Sequence, residues 1–160
     1  MYLYRREYVG GWEWKTVETD GREKALYDNI IEYLGVDSVE ASPHVYVEVC
    51  VAYWRKANAV HGWFVNQLAD GVDECQSIYV SKEDLENLRM SCNNVLKCPV
   101  GIKQEDVAAQ YGLLPTRGFF FGNYEMDEWY IGDLENTIMQ IDSVLGTSGE
   151  WSDFIYRASW

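Results

Sequence analysis

The segment Val45–Tyr53, with the sequence V-Y-V-E-V-C-V-A-Y, constrains the fold more than any other part of the chain. Nearly all of its residues are β-branched or aromatic, which is typical of a β-strand, and its continuous apolar character predicts a central place in a sheet. Residues 56–69 follow with apolar side chains at helical spacing and predict a helix that ends near Gly71. The chain therefore combines strands and helices.

The same two patterns extend towards both ends of the chain. Ser81 followed by Asp84 predicts a helix that begins with a capping box, and the short link before Ser81 favours antiparallel strands. The predicted fold is a single α+β domain, residues 1–160, with a mainly antiparallel sheet and three or four helices packed on it. The order of the elements does not exclude one parallel pair of strands. Further strands are predicted at 1–8, 76–80, 118–122 and 151–159, and further helices at 22–34, 104–111 and 129–145.

The amino-acid composition and net charge limit the classes of partner that the protein can bind. The chain has 160 residues, 48% of them hydrophobic, which suits one folded domain and excludes a disordered chain. Its net charge is -13, and residues 118–156 contain no Lys or Arg. Such a field repels nucleic acid and anionic lipid and attracts a basic protein surface. We therefore expect no direct nucleic-acid partner and no membrane partner; the alternative reading is a solvated acidic face that maintains solubility.

The four cysteines and the first residues of the chain indicate the cellular compartment of the protein. No C-x-x-C pair is present, so the cysteines match no zinc pattern. Cys50 lies in the apolar run and is predicted to be in the core. Arg5, Arg6 and Glu7 interrupt any signal peptide, and no apolar run approaches the roughly 20 residues of a membrane span. These features predict a cytoplasmic protein with free thiols.

The first candidate site follows the Val45–Tyr53 strand. Arg55 and Lys56 suit phosphate, while Asn58 and His61 can donate or accept hydrogen bonds. If the helix begins at 56, Trp54, Asn58 and His61 share one stripe, with Trp54 as a wall of the site. Arg55 and Lys56 then point apart and cannot both join them unless the helix begins later. In the alternative, Asn58 and His61 tie the helix to the sheet and the two bases are solvated.

The second candidate site is G-F-F-F-G-N-Y-E-M-D-E-W-Y, residues 118–130. Phe120, Tyr124, Trp129 and Tyr130 are placed to stack on a planar ligand. Asp127 and Glu128 are placed to bind a divalent cation or to accept ribose hydroxyls. In the alternative, a carboxylate caps the following helix and the aromatic rings belong to the core.

Other catalytic signatures are weak or absent. Asp70, Asp73 and Glu74 surround Gly71, but their spacing is not that of an EF-hand. The sequence contains no phosphate-binding loop, no G-x-G-x-x-G, no H-E-x-x-H and no G-x-S-x-G. We therefore expect no cofactor and no metal site, and a binding protein more than an enzyme.

Five segments together resemble a family of small tailed-phage proteins. They are M-Y-L-Y at Met1, Y-W-R-K-A-N-A-V-H-G-W-F-V at Tyr53, G-V-D-E-C at Gly71, the segment 118–130, and Y-R-A-S-W at Tyr156. Relatives often carry residues of the type G-L-D ahead of M-Y-L-Y, which this chain lacks. Some members carry the label phosphoglycerate kinase, which these residues do not support. The resemblance implies an accessory protein in the cytoplasm of an infected host.

These patterns lead to three functional hypotheses. In the first, a phage accessory protein antagonises host defence by binding or sequestering a nucleotide-like small molecule. In the second, an acidic protein-binding inhibitor mimics nucleic acid and occupies a basic host nuclease or CRISPR effector. In the third, Asp127 and Glu128 serve a metal-assisted hydrolase. The residues predicted to bind the small molecule are Trp54, Arg55, Lys56, Asn58, His61, Tyr124, Asp127 and Trp129.

Overall fold

A computed structural model of the chain describes residues 1–11, 21–36, 43–116, 124–150 and 152–159. Strands and helices alternate irregularly along these residues, and the strands form one antiparallel sheet. The predicted α+β class is therefore confirmed. The strand predicted at 118–122 lies outside the described residues. The elements are β1 (Tyr2–Gly10), α1 (Gly21–Leu34), β2 (Val45–Tyr53), α2 (Asn58–Leu68), β3 (Ile78–Val80), α3 (Lys82–Leu96), α4 (Gln104–Gln110), α5 (Glu128–Thr147) and β4 (Asp153–Arg157).

The four strands lie in the order β2-β1-β4-β3. Met1 and Trp54 exchange both backbone N–H···O bonds, at 3.1 and 3.0 Å, which is a hydrogen-bonded antiparallel pair next to β1 and β2. At the other end of the order, Ile78 pairs antiparallel with Tyr156. The predicted central place of β2 is wrong, because β2 is the terminal strand of this order. Strand propensity measures how a residue suits a pleated surface and does not encode strand order.

The described chain divides into two compact units. One consists of Met1–Arg5 and Cys50–Trp160, and the other of Arg6–Val49. The prediction of a single domain over 1–160 remains a prediction. Within the second unit, the Tyr27 hydroxyl donates to the Pro43 carbonyl over 3.0 Å. Gly11 has a φ of 130°, and a Cβ at this position would overlap the Pro43 carbonyl oxygen, so only glycine suits it.

The core of the larger unit lies between the sheet and helices α2, α3 and α5. The rings of Phe64 on α2 and Tyr156 on β4 stack with centroids 4.0 Å apart, so α2 packs against the sheet. Helix α3 contributes the buried Cys92, whereas Cys50 is exposed. The prediction that Cys50 is in the core is wrong, because an apolar run does not specify which residues of a terminal strand are covered. All four cysteines are free.

The helix starts illustrate how strongly local sequence determines local structure. Ser81 Oγ accepts a bond from the Asp84 backbone N–H over 3.0 Å, and Asp84 Oδ2 accepts one from the Ser81 N–H over 2.8 Å. The predicted capping box is therefore confirmed.

Helix α5, of 20 residues, is the longest in the described part of the chain. No helix among the described residues is long and apolar enough to span a membrane.

Candidate functional site

A cavity of about 370 Å³ lies between the β2–α2 connection and the start of α5, and we call it the junction cavity. It brings together residues from both candidate sites predicted from the sequence. Its volume lies in the range of small-molecule sites. The residues that line it are Arg55, Lys56, Asn58, Glu125, Asp127, Trp129, Tyr130 and Asp133.

The backbone of the β2–α2 connection explains why both bases reach this cavity. Helix α2 begins at Asn58, two residues later than predicted. Ala57 has φ -74° and ψ 76°, and the Asn58 N–H donates to the Lys56 carbonyl over 2.8 Å; this is an inverse γ-turn. Lys56 itself has a φ of 61°, in the left-handed region. Because Arg55 and Lys56 lie outside the helix, the helical spacing that would separate them does not apply.

The two bases are the cationic part of the lining. Within the described ranges, neither the Arg55 side chain nor the Lys56 side chain forms a hydrogen bond or an ion pair. Their charges are therefore not neutralised by a neighbouring carboxylate there. A phosphate or carboxylate group that enters the cavity can accept hydrogen bonds from both.

The opposite wall begins at the N-cap of α5. One oxygen of the Asp127 carboxylate, Oδ1, accepts bonds from the backbone N–H groups of Trp129 and Tyr130, over 3.0 and 3.1 Å. This is the capping role given as the alternative reading for the acidic turn. The Tyr130 hydroxyl donates to the Leu113 carbonyl over 3.0 Å, which anchors the first turn of α5. The Trp129 side chain is 76% exposed, so its indole face is accessible to a ligand.

The carboxyl group of Asp133 has a raised pKa. Burial, together with the negative charge of Asp127, raises the pKa of Asp133 to about 6. This carboxyl group therefore exchanges its proton close to neutral pH. Glu125 and Asp133 were not assigned to the site by the sequence patterns. The sequence feature that points to Asp133 is its position four residues after Trp129, because residues four apart lie on one face of a helix.

Trp54 is positioned by the core and lies outside the lining. Its side chain is 1% exposed, and its Nε1 donates to Thr137 Oγ1 over 2.9 Å. The Thr137 hydroxyl in turn donates to the Asp133 carbonyl over 2.7 Å. The proposed role of Trp54 as a wall of the site is therefore replaced by a structural one: it holds α5 against the end of β2.

Two further hydrogen bonds attach α5 to β2. The Gln140 side chain accepts from the Tyr53 N–H over 2.6 Å and donates to the Tyr53 carbonyl over 3.0 Å. An amide side chain that pairs with a backbone in this way imitates a neighbouring strand. Gln140 and Thr137 thus fix the separation of the two walls, and neither carries a signal in the sequence.

His61 is buried on α2, one turn after Asn58. Its Nε2 lies 3.1 Å from Asp73 Oδ2 and its Nδ1 lies 2.7 Å from the Tyr156 hydroxyl. Since the carboxylate accepts only, the tautomer with a proton on Nε2 donates to Asp73 and accepts from Tyr156. Burial lowers the pKa of His61, and the Asp73 carboxylate opposes this shift. His61 therefore ties the helix to the sheet, as in the alternative reading, and does not line the junction cavity.

Tyr124 lies in a neighbouring cavity of about 420 Å³, beside Leu114, Pro115 and Met126. Glu125 lines both cavities. Five of the eight predicted residues (Arg55, Lys56, Asn58, Asp127 and Trp129) thus line the junction cavity, while Trp54, His61 and Tyr124 do not.

The acidic residues considered as metal ligands are not gathered into one group. Among the residues that the structure describes, no set of three His, Cys, Asp or Glu side chains is arranged to hold a metal ion. Asp70 and Glu74 are exposed, and Asp73 contacts His61.

Comparison with known proteins gives no relative. No family model, no curated protein and no solved structure matches the chain.

Proposed function

We propose that this protein binds a nucleotide-like small molecule in the junction cavity. The observation that supports the proposal most directly is that Arg55 and Lys56 line one cavity with the exposed indole of Trp129. A phosphate group would be held by the two bases, and a planar ring would pack on the indole. Asn58 would add a neutral hydrogen-bonding group beside the phosphate.

The carboxylates at the other wall define the second half of the ligand. Glu125, Asp127 and Asp133 accept hydrogen bonds and suit ribose hydroxyls or a ring amino group. They also outnumber the two bases, so they repel a highly charged ligand. A nucleoside monophosphate or a cyclic nucleotide is therefore favoured over a triphosphate.

A thermal-shift screen tests this proposal. The panel contains nucleoside monophosphates, cyclic nucleotides, triphosphates, unphosphorylated nucleosides and inorganic phosphate. A ligand at a hundredfold excess over its Kd stabilises the folded state by about 2.7 kcal/mol, which for a chain of this size raises the Tm by roughly 5 to 10 °C. We expect the largest shift from a mono- or cyclic nucleotide. No shift from any nucleotide at millimolar concentration would rule the proposal out.

Matched variants separate the site from the rest of the surface. Arg55→Ala removes one charge-assisted hydrogen-bond donor and is expected to weaken binding by about 10- to 100-fold. Lys97→Ala removes an exposed base outside the cavity and is the control. Equal affinities of both variants for the best ligand would place the ligand elsewhere.

Sequestration is the biological role that we propose for this binding. A protein that binds a host nucleotide signal without consuming it lowers the concentration of that signal, which fits the hypothesis of an accessory protein that antagonises host defence. The bound nucleotide should be recovered chemically unchanged after the protein is denatured. Recovery of a hydrolysed product would indicate an enzyme instead.

The acidic face of α5 supports a second candidate function, the inhibition of a basic host protein. Glu128, Glu135 and Asp142 recur every seven residues and are exposed, so they share one face of the helix. Asp142 is partly neutralised, because it pairs with Arg89 over 2.6 Å. Binding to a basic partner should weaken with salt, and it should be lost when Glu128 and Glu135 are both changed to Lys. Retention of the partner by that double variant would count against this function.

A further inference from the structure

A second cavity, of about 320 Å³, lies among α2, α3 and the end of α4, and we call it the amide cavity. It does not share a residue with the junction cavity. Polar but uncharged side chains dominate its lining. The residues that line it are Trp63, Gln67, Leu68, Asp84, Asn87, Met90, Ser91, Gln110 and Tyr111.

Five neutral polar side chains line this cavity. Within the described part of the chain, the side chains of Gln67, Asn87, Ser91, Gln110 and Tyr111 make no hydrogen bond. Each amide offers two donor hydrogens and an acceptor oxygen, and each hydroxyl offers both roles. In the protein alone these groups are left to water, and a ligand with alternating donors and acceptors can take the place of that water.

The positions of these groups are set by regular structure. Asn87 and Ser91 are four residues apart on α3, so they lie on one face of the helix. Ser91 is 6% exposed, which places it at the floor. Gly112 has a φ of 69°, and a Cβ there would lie 2.9 Å from Gln67 Nε2. The backbone after α4 therefore approaches the Gln67 amide closely.

Charge restricts the class of ligand. Among the residues that the structure describes, no Lys or Arg lines the amide cavity, so an anionic ligand would find no counter-charge among them. Asp84 is the one acid in the described part of the lining, and its Oδ2 already accepts two bonds from Ser81 within the capping box. A neutral ligand rich in hydroxyl groups matches this lining better than an anion.

We propose that the amide cavity binds a small neutral sugar. Each sugar hydroxyl both donates and accepts, which matches the Asn and Gln amides, and the C–H face of the ring can pack on the Tyr111 ring or the Met90 side chain. Met90 is 52% exposed, so an apolar contact is available at the rim. Such a site is independent of the nucleotide site proposed above.

Side-chain NMR tests this inference. The NH₂ signals of Gln67, Asn87 and Gln110 are followed in ¹⁵N-labelled protein during titration with unmodified glucose, galactose, mannose, N-acetylglucosamine, maltose and cellobiose. We expect saturable shifts of all three signals with at least one sugar. Asn87→Ala removes one neutral hydrogen-bonding group from an exposed position and should weaken that sugar by about 2- to 10-fold. Asn66→Ala, an exposed asparagine on α2 outside the lining, is the matched control.

Three results would overturn the sugar assignment. One is the absence of saturable shifts with every sugar at 50-fold molar excess and above, up to their solubility. Another is equal affinity of the Asn87→Ala and Asn66→Ala variants. The third is a larger response of the same signals to a blocked alanine tripeptide or to adenosine monophosphate, which would assign the cavity to a peptide or to an anion.

Discussion

The Trp54 indole donates a hydrogen bond to the Thr137 hydroxyl over 2.9 Å, and both side chains are buried. The two residues are 83 positions apart, at the end of β2 and in the middle of α5. Since the residues after Trp54 and the first turns of α5 line the junction cavity, this bond controls how far apart its walls stand.

Removal of the Thr137 hydroxyl should therefore destabilise the protein. Thr137→Val leaves the Trp54 N–H buried without an acceptor, which costs about 1 to 3 kcal/mol of unfolding free energy. Urea denaturation measures this change. Thr147→Val, at an exposed threonine of the same helix, should change the free energy by less than about 0.5 kcal/mol. Equal losses in the two variants would contradict the role of the Trp54–Thr137 bond.

The two roles of Asp127 can be separated by conservative substitution. Asp127→Ala removes the N-cap of α5 and should cost about 1 kcal/mol. Asp127→Asn keeps an acceptor for the Trp129 and Tyr130 N–H groups and should cost a few tenths of a kcal/mol. Because Asn carries no negative charge, it should also change nucleotide affinity. Thermal unfolding and ligand titration of both variants give the answer; an Asn variant as unstable as the Ala variant would refute the capping role.

Asp133 should make stability depend on pH in a definite direction. Its pKa is raised from 3.8 to about 6 in the folded protein, so folding favours its protonated form. This contribution is complete below pH 3.8 and is lost as the pH rises through 6. After allowance for partial solvation, the loss is on the order of 1 kcal/mol.

The difference between wild type and Asp133→Asn isolates this contribution. The variant should be more stable than wild type at pH 7, and the difference should shrink towards pH 4. Glu135→Gln, at an exposed position on the same helix, is the control for loss of one charge. If the stability advantage of Asp133→Asn over wild type grew as the pH fell, the result would contradict a raised pKa for Asp133. Nucleotide binding to wild type should also strengthen as the pH falls through 6, because protonation of Asp133 removes a negative charge from the cavity.

The Tyr156–His61–Asp73 chain predicts a cost for the loss of one hydroxyl. Tyr156→Phe removes the hydroxyl that donates to the buried His61 Nδ1 and should cost about 1 to 3 kcal/mol. Tyr33→Phe, at a side chain that is 88% exposed, should be close to neutral. Burial lowers the pKa of His61, so its contribution is present above pH 6.5 and declines as the pH falls below that value. Chemical denaturation at pH 7.5 and 5.5 measures both effects, and an unchanged Tyr156→Phe variant would contradict them.

The features that the sequence predicted well are local. Ser81 and Asp84 are three residues apart, so the capping box needs no knowledge of the fold. The start of α2 was predicted two residues early, because Lys56 in the left-handed region is not marked by glycine or asparagine. The exposure of Cys50 depends on strand order, and the Trp54–Thr137 bond depends on a contact across 83 residues. Periodicity carries no information about either of these.

Retention of ligand by the purified protein tests the central claim most directly. Wild type and the double variant Arg55→Ala/Lys56→Asn are each incubated with an equimolar mixture of nucleosides, monophosphates, cyclic nucleotides and triphosphates. The mixtures are then gel-filtered, and the bound species are read by mass spectrometry. Asn at 56 tolerates the left-handed backbone, so the turn is preserved. We expect wild type to retain about one equivalent of a mono- or cyclic nucleotide, and the variant less than about a tenth of that amount. Absence of any nucleotide from wild type, or equal retention by the variant, would contradict the account.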